Sequence, residues 1–278
     1  MNRLEAFGTI VAQAERGEIS FPTSVNAVLR LQQALNDPDC HLEEAIRLVL
    51  GEPQLAARTV ALANTAIFNG GGRPVTNVRT AVERIGYRNL QMLATGLAVR
   101  QFGARIADPD LRAKAAQLWE HTVQVAALAH VFARCLTFVN PDTAMFAGIV
   151  HEVGAFYLLS RADGFPGLLD DDPEKWAELC EDVVTREVAR KLMLPEPIAE
   201  AIFGLRGRLM AMPPATLLDT LLLANTHAAV PSPLGPPPAP LPAHADSVLD
   251  YLVDEDDFQA MIDDALDVAA SMEQALLV

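Results

Sequence analysis

The chain has 278 residues, 51% of them hydrophobic and 21% charged, with a formal net charge of −15 at pH 7. That length holds one large or two modest domains with real hydrophobic cores. The acidic balance speaks against nonspecific attachment to nucleic acid or anionic membranes, since both need neutralising basic groups. The three cysteines, Cys40, Cys135 and Cys180, are far apart and form no CxxC pair, so neither a disulfide framework nor a thiolate zinc site is indicated. A reducing cytoplasm is the expected compartment.

The charge is unevenly placed. All 21 Lys and Arg residues lie at or before Arg208, and 11 of the 36 acidic residues lie from Asp219 onward. The first part is therefore only about −4, with 25 acidic against 21 basic residues, and the tail carries −11. The start, Met1 to Gly8, mixes charge with apolar residues and lacks the apolar core of a secretory signal. No charge-free run of about 18 residues reads as a membrane span. The apolar stretch 216–230 contains Asp219, Asn225 and His227, which suits a buried helix better.

In chain order, residues 1–18 read as a short helix. After Pro22 a second helix has Val25, Val28, Leu29 and Leu31 spaced for burial. Asn36-Asp-Pro-Asp39 is a turn, because Pro fixes φ and Asp and Asn accept local backbone bonds. A third helix follows with Ala45, Ile46 and Val49 on one side, and Gly51-Glu-Pro53 ends it and starts the next. The run from Leu55 to Phe68 is helical. Gly70, Gly71 and Gly72 have no strand before them and no Lys-Ser/Thr after, so they form an inter-helix turn and not a phosphate loop. Thr76 or Asn77 caps a helix bearing Val78, Ala81, Val82 and Ile85, and Leu90 to Ala107 is helical again.

Asp108-Pro-Asp110 is the expected boundary between two regions. Beyond it, helical stretches at 111–136, 141–160, 174–193 and 195–206 are separated by turns at Asn140-Pro141, Gly164 to Gly167 and Leu194-Pro195. Asp170 to Pro173 reads as an acidic turn opening a helix; it lacks the alternating oxygen ligands of a calcium loop. Residues 231–242 contain seven prolines and form a stiff linker or a wrap-around strap. In the tail, Phe258, Met261, Ile262, Ala265, Leu266, Ala269 and Met272 recur at three- and four-residue steps, predicting an amphipathic helix over about 255–276 after a short turn from Asp246–Val253. This stripe either docks on the chain's own body or covers a partner surface, such as a homodimer interface.

The chemistry-bearing residues sit in the second region. Leu118, His121, Val125, Leu128 and Phe132 fall at helical spacing, so His121 faces inward. His151 shares a face with Ala144, Ala147 and Gly148, whose small size lets another helix approach closely. Two inward histidines on adjacent helices can meet in space, although either is also an ordinary core histidine. His130 reads as a helix-surface histidine, and His41, His227 and His244 stand outside any ligand spacing.

Phe146-Ala-Gly-Ile-Val-His-Glu-Val-Gly154 resembles the Leu-His-Asp-x-Gly signature of HD-superfamily phosphohydrolases, and more closely that of their HDOD branch, the HD-related output domains of bacterial signalling proteins. Leu35 to Asp39, Glu52-Pro-Gln-Leu-Ala-Ala-Arg58, Leu62-Ala-Asn-Thr-Ala66, Arg73-Pro-Val-Thr-Asn-Val-Arg-Thr-Ala81 and Ile85-Gly-Tyr-Arg-Asn-Leu90 continue the resemblance in order, over roughly residues 20–230. It implies an all-α fold: an N-terminal helical lobe (1–110) packed against a degenerate HD-type helical lobe (111–230). The proline-rich linker (231–242) and an acidic helical segment (243–278) follow.

The resemblance also implies site positions. His121 matches the first metal histidine of HD enzymes, His151 the second, and Glu152 the adjacent aspartate, one methylene longer. Glu187 stands nearest a later motif histidine, Ile202 to Leu205 replaces a His-His pair, and Asn225 replaces a charged ligand. A phosphohydrolase needs several nitrogen and carboxylate ligands to hold an ion that activates water. Two histidines and a displaced glutamate are too few, so these five residues read as a vestigial metal site with no catalytic residue, no bound metal and no cofactor.

The expected function is a non-catalytic regulatory output module with a signalling protein partner or a nucleotide-like ligand, and a homodimer is compatible with it. A metal-dependent phosphohydrolase of a nucleotide or cyclic dinucleotide is the alternative. A nucleic-acid regulator, resting on Arg73, Arg79, Arg84 and Arg88, is a third reading, disfavoured because Glu83 lies beside them. No membrane partner is expected.

Overall fold

The computed structural model describes residues 3–19, 25–103, 106–169, 176, 180–206, 208, 210–235 and 245–277. The expected acidic turn at Asp170–Pro173 and His244 lie outside the described residues. The fold is all-α, with no strand among the described residues. Its first half comprises α1 (Arg3–Glu15), α2 (Val25–Leu35), α3 (Leu42–Leu50), α4 (Pro53–Ala63), the single turn α5 (Ala66–Asn69) and α6 (Val78–Gly103). The second half comprises α7 (Pro109–Phe132), which runs into a π-helical turn (Ala133–Thr137), then α8 (Pro141–Val150), α9 (Val153–Ala162), α10 (Glu181–Lys191), α11 (Glu196–Gly204) and α12 (Leu217–His227). The tail forms α13 (Ala245–Leu252) and α14 (Glu255–Leu277).

The start of each helix that matters for the site has a chemical cause. Asp108 accepts bonds from the backbone N–H groups of Asp110 and Leu111, with Pro109 in the first turn of α7. Asn140 does the same for α8 through Thr143, with Pro141 behind it. Thr216 and Asp219 form a reciprocal capping box at the start of α12. In the first half, Asn64 clamps Val75 through both its backbone groups. Arg84 donates to the Ala63 and Arg73 carbonyls and to Asn69 Oδ1, tying down the glycine turn. Gly70 and Gly71 adopt φ of +51° and +80°, conformations that side-chain-bearing residues rarely take.

One continuous apolar core runs from Ala6 to Met272. Within it α7 and α8 run antiparallel in close contact. A methyl group placed on Gly148 would lie 2.4 Å from Ala126 Cα, so only glycine permits this approach. The first helix crosses to the second half, where Lys191 Nζ donates to the Ile19 carbonyl and Arg161 Nη2 to Gln13 Oε1.

Several expectations need correction. The stretch 141–160 is not one helix: α8 ends at Val150, Glu152 has φ −102° and ψ 22°, and α9 starts at Val153. The 111–136 helix turns π-helical over its last five residues. The region 141–162 contains an 18-residue window apolar enough to cross a membrane by length and composition, and 83% of that window is buried inside the fold. His130 is not a surface residue; it is 8% exposed, packed where α7 meets the start of α8, and burial lowers its pKa. In α14, Leu266 is 41% exposed and Val268 takes its place in the buried stripe. The tail does dock on the chain's own body, with Phe258 stacked on Phe132 at 5.6 Å and edge-on to His227 at 5.1 Å.

Candidate functional site

The break after α8 makes the site. His151 caps the helix end, and its Nδ1 donates to the Gly148 carbonyl at 2.7 Å, an acceptor that the helix terminus leaves free. His121, mid-way along α7, donates from Nδ1 to the Val230 carbonyl at 2.7 Å. The two Nε2 atoms then face each other at 3.2 Å. Because each carbonyl only accepts, both Nδ1 atoms carry hydrogen, and two neutral rings would oppose bare lone pairs. A single proton or a single cation between the Nε2 atoms removes that conflict. Burial resists protonation of His151 and is the largest cause of a pKa lowered to about 4, with the His121 charge acting the same way and Glu152 against it.

The Glu152 carboxylate completes a group in which the ligand atoms of His121, His151 and Glu152 all lie within 4.8 Å of one another. This donor set fits one divalent ion of intermediate softness. Two ring nitrogens bound tetrahedrally at zinc-like bond lengths would sit about 3.3 Å apart, close to the 3.2 Å between these rings. The two Nδ1–carbonyl bonds orient the rings as the outer partners of a metal site would.

The remaining expected positions lie elsewhere. Glu187 is on α10, paired with Arg190 at 2.7 Å, and outside the cluster. Asn225 is half-buried on α12, and both histidine rings are bound to other partners. Cys180 also lies outside the cluster, and burial pushes its thiol up to about 12.

The sequence left the proline segment as a linker or a wrap-around strap, and did not place it over the histidines. Residues 228–235 run back along α7 as a strap. Val230 N–H donates to Gln124 Oε1, Gln117 Nε2 donates to the Pro231 carbonyl, and Trp176 Nε1 donates to the Leu234 carbonyl. Gly235 passes beside Glu152, and a methyl placed on it would lie 3.7 Å from Oε1. Under this strap His121 is 2% and His151 7% exposed. One signal was available: Gln117, His121 and Gln124 are spaced four and three residues apart, a polar stripe on one helix face that needs polar partners. Arg206 pairs with Glu181 in the field of Glu152.

The HDOD domain model matches residues 21–202. The chain belongs to the HDOD domain family. Solved structures share the HDOD fold across nearly the whole chain. A proposed metal-dependent phosphohydrolase from Shewanella amazonensis SB2B matches with a TM-score of 0.72 at 20% identity, covering 98% of this chain and 100% of that one. An HDOD domain protein of unknown function from Geobacter sulfurreducens matches with a TM-score of 0.67 at 22% identity, covering 97% and 98%. A proposed signal transduction protein from Marinobacter aquaeolei VT8 matches with a TM-score of 0.62 at 18% identity, covering 98% of this chain and 67% of that one. An uncharacterized protein of Treponema pallidum (strain Nichols) is 26% identical over 200 residues, 65% of this chain. This chain spans about a third of that relative's length, the match covering 36% of it.

Proposed function

We propose that this HDOD chain is a non-catalytic regulatory output module, acting through binding of a signalling protein or a small ligand. The observation carrying this reading is the covered site. The chain's own strap takes the outer nitrogen of His121 and passes over Glu152, leaving both histidines almost wholly buried. A hydrolytic metal needs an open position for water and substrate phosphate. The His121, His151 and Glu152 set supplies three protein ligands, and Glu187, bonded to Arg190, adds none. The similarity to a proposed signal transduction protein supports the same reading.

A second reading, a metal-dependent phosphohydrolase of a nucleotide or cyclic dinucleotide, draws on the 3.2 Å approach of the two Nε2 atoms and on the similarity to a proposed metal-dependent phosphohydrolase. The nucleic-acid reading loses its footing in three of its four arginines. Arg79 pairs with Glu43, Arg84 ties down the glycine turn, and Arg88 binds Asn140 and Thr143. Bulk metal analysis of protein purified without chelator separates the first two. Substoichiometric metal that is indifferent to His151→Ala supports the regulatory module. A stoichiometric transition metal, lost in His151→Ala, supports the second reading.

A further inference from the structure

A cavity of about 450 Å³, whose lining includes none of His121, His151 and Glu152, opens between the two halves of the molecule. Its walls come from five helices: Gln54 and Arg58 of α4, Arg100 and Gln101 of α6, Arg112 and Trp119 of α7, with Phe156 of α9 and Glu273 of α14. Three guanidinium groups face one carboxylate here, a local surplus of two positive charges in a chain whose net charge is −15. Arg58 Nε and Nη1, Trp119 Nε1 and Gln101 Oε1 are all buried without a hydrogen-bond partner among the described residues. Buried polar atoms in folded proteins are nearly always paired, so four unpaired atoms carried by three of the lining residues single out this wall of the fold. Burial, with the charge of Arg100 second, holds the Arg58 guanidinium below its ordinary pKa, and no carboxylate among the described residues offsets it. Arg100 itself lies over the Trp119 ring at 5.7 Å.

We propose that this cavity binds a small phosphorylated ring compound. Its phosphate would lie between Arg58 and Arg112 and its flat ring against Trp119, with Gln54 and Gln101 reading the ring's polar edge. Each part follows from the lining. A phosphomonoester carries close to two negative charges, matching the surplus, and guanidinium groups bind phosphate oxygens in bidentate fashion. The volume falls within the range of small-molecule sites. Arg58 and Gln54 stand on the first half, Arg112 and Trp119 on the second, and Glu273 on the tail helix, so an occupant would draw three parts of the chain together. The inference goes beyond the proposed function and does not depend on whether the histidine cluster is catalytic.

Isothermal titration of the full chain at low salt with adenosine monophosphate, inorganic phosphate and adenosine tests it. The nucleotide is expected to bind at least about tenfold more tightly than either fragment alone. Arg58→Met should weaken binding about tenfold or more while leaving the melting temperature of the free protein unchanged or raised, because it removes an uncompensated charge. If Arg58→Met fails to fold, exposed Arg112→Glu carries the test, with a loss of about tenfold expected. Arg79→Glu, a charge-matched change away from the cavity, should leave binding intact. Absence of binding by folded wild-type protein at about 1 mM nucleotide, binding that survives both cavity variants, or an equal loss in Arg79→Glu would overturn the proposal.

Discussion

Asp219 shows how much one side chain can fix. Its carboxylate accepts from the backbone N–H groups of Ala211, Ala215 and Thr216 and from the Thr216 hydroxyl. Burial alone would raise its pKa, yet these four bonds outweigh it and the net shift is downward. A carboxyl with a depressed folded-state pKa contributes stability that is complete above its unfolded value and disappears as pH falls through the folded one. Asp219→Asn should therefore flatten the acid limb of the stability curve below about pH 4. It should also cost about 1–3 kcal/mol at pH 7, because an amide NH2 replaces one acceptor oxygen and leaves buried N–H groups facing a donor; urea midpoints across pH would show both. Gly148 is the steric counterpart. Gly148→Ala drives a methyl into the backbone at Ala126, 2.4 Å away, whereas Gly96→Ala meets only the Ile149 Cγ2 methyl at 3.1 Å. The first should cost about 1–3 kcal/mol and the second clearly less, because a contact at 3.1 Å asks for a shift of a few tenths of an ångström and one at 2.4 Å moves the backbone.

The helices were legible wherever local chemistry decides them. The breaks read at Asp108 and Asn140 are helix caps, as Asn77 is, and the meeting of His121 with His151 follows from apolar spacing and small residues. Contacts made by distant segments were not legible. The strap over His121 joins residues 109 positions apart, and Arg84 and Arg88 look like solvated surface until the loops they bind are placed. The break at His151–Glu152 was hidden because the run through it is apolar on all sides, which hides any change of helix direction. In α14 the periodicity was right and its phase slightly wrong, exchanging Leu266 for Val268. That helix offers a test of magnitudes. Phe258→Ala should cost about 2–3 kcal/mol, since it removes the stack on Phe132 and His227 and leaves a cavity. Asp264→Ala, which breaks only the half-exposed pair with Arg134, should cost under about 1 kcal/mol. Thermal denaturation of the two variants side by side checks the order.

At the scale of the whole molecule, α14 lies on α7, α4 and α5 and so bridges the two halves. Deleting residues 240–278 should cost folding or solubility with no change in oligomeric state; a stable truncated monomer from a dimeric parent would show that the tail serves an interface instead. The family and the all-α architecture were readable from ordered motifs across much of the chain. The covered state of the histidine site was not, because it depends on where the proline segment comes to rest. That covering is the central claim. Its most direct test is hydrolysis of nucleoside phosphates and cyclic dinucleotides by the full chain supplied with Mn²⁺ or Zn²⁺, compared with His151→Ala under the same conditions. The account predicts identical background rates for both proteins, whereas turnover by wild type that disappears in His151→Ala would contradict it.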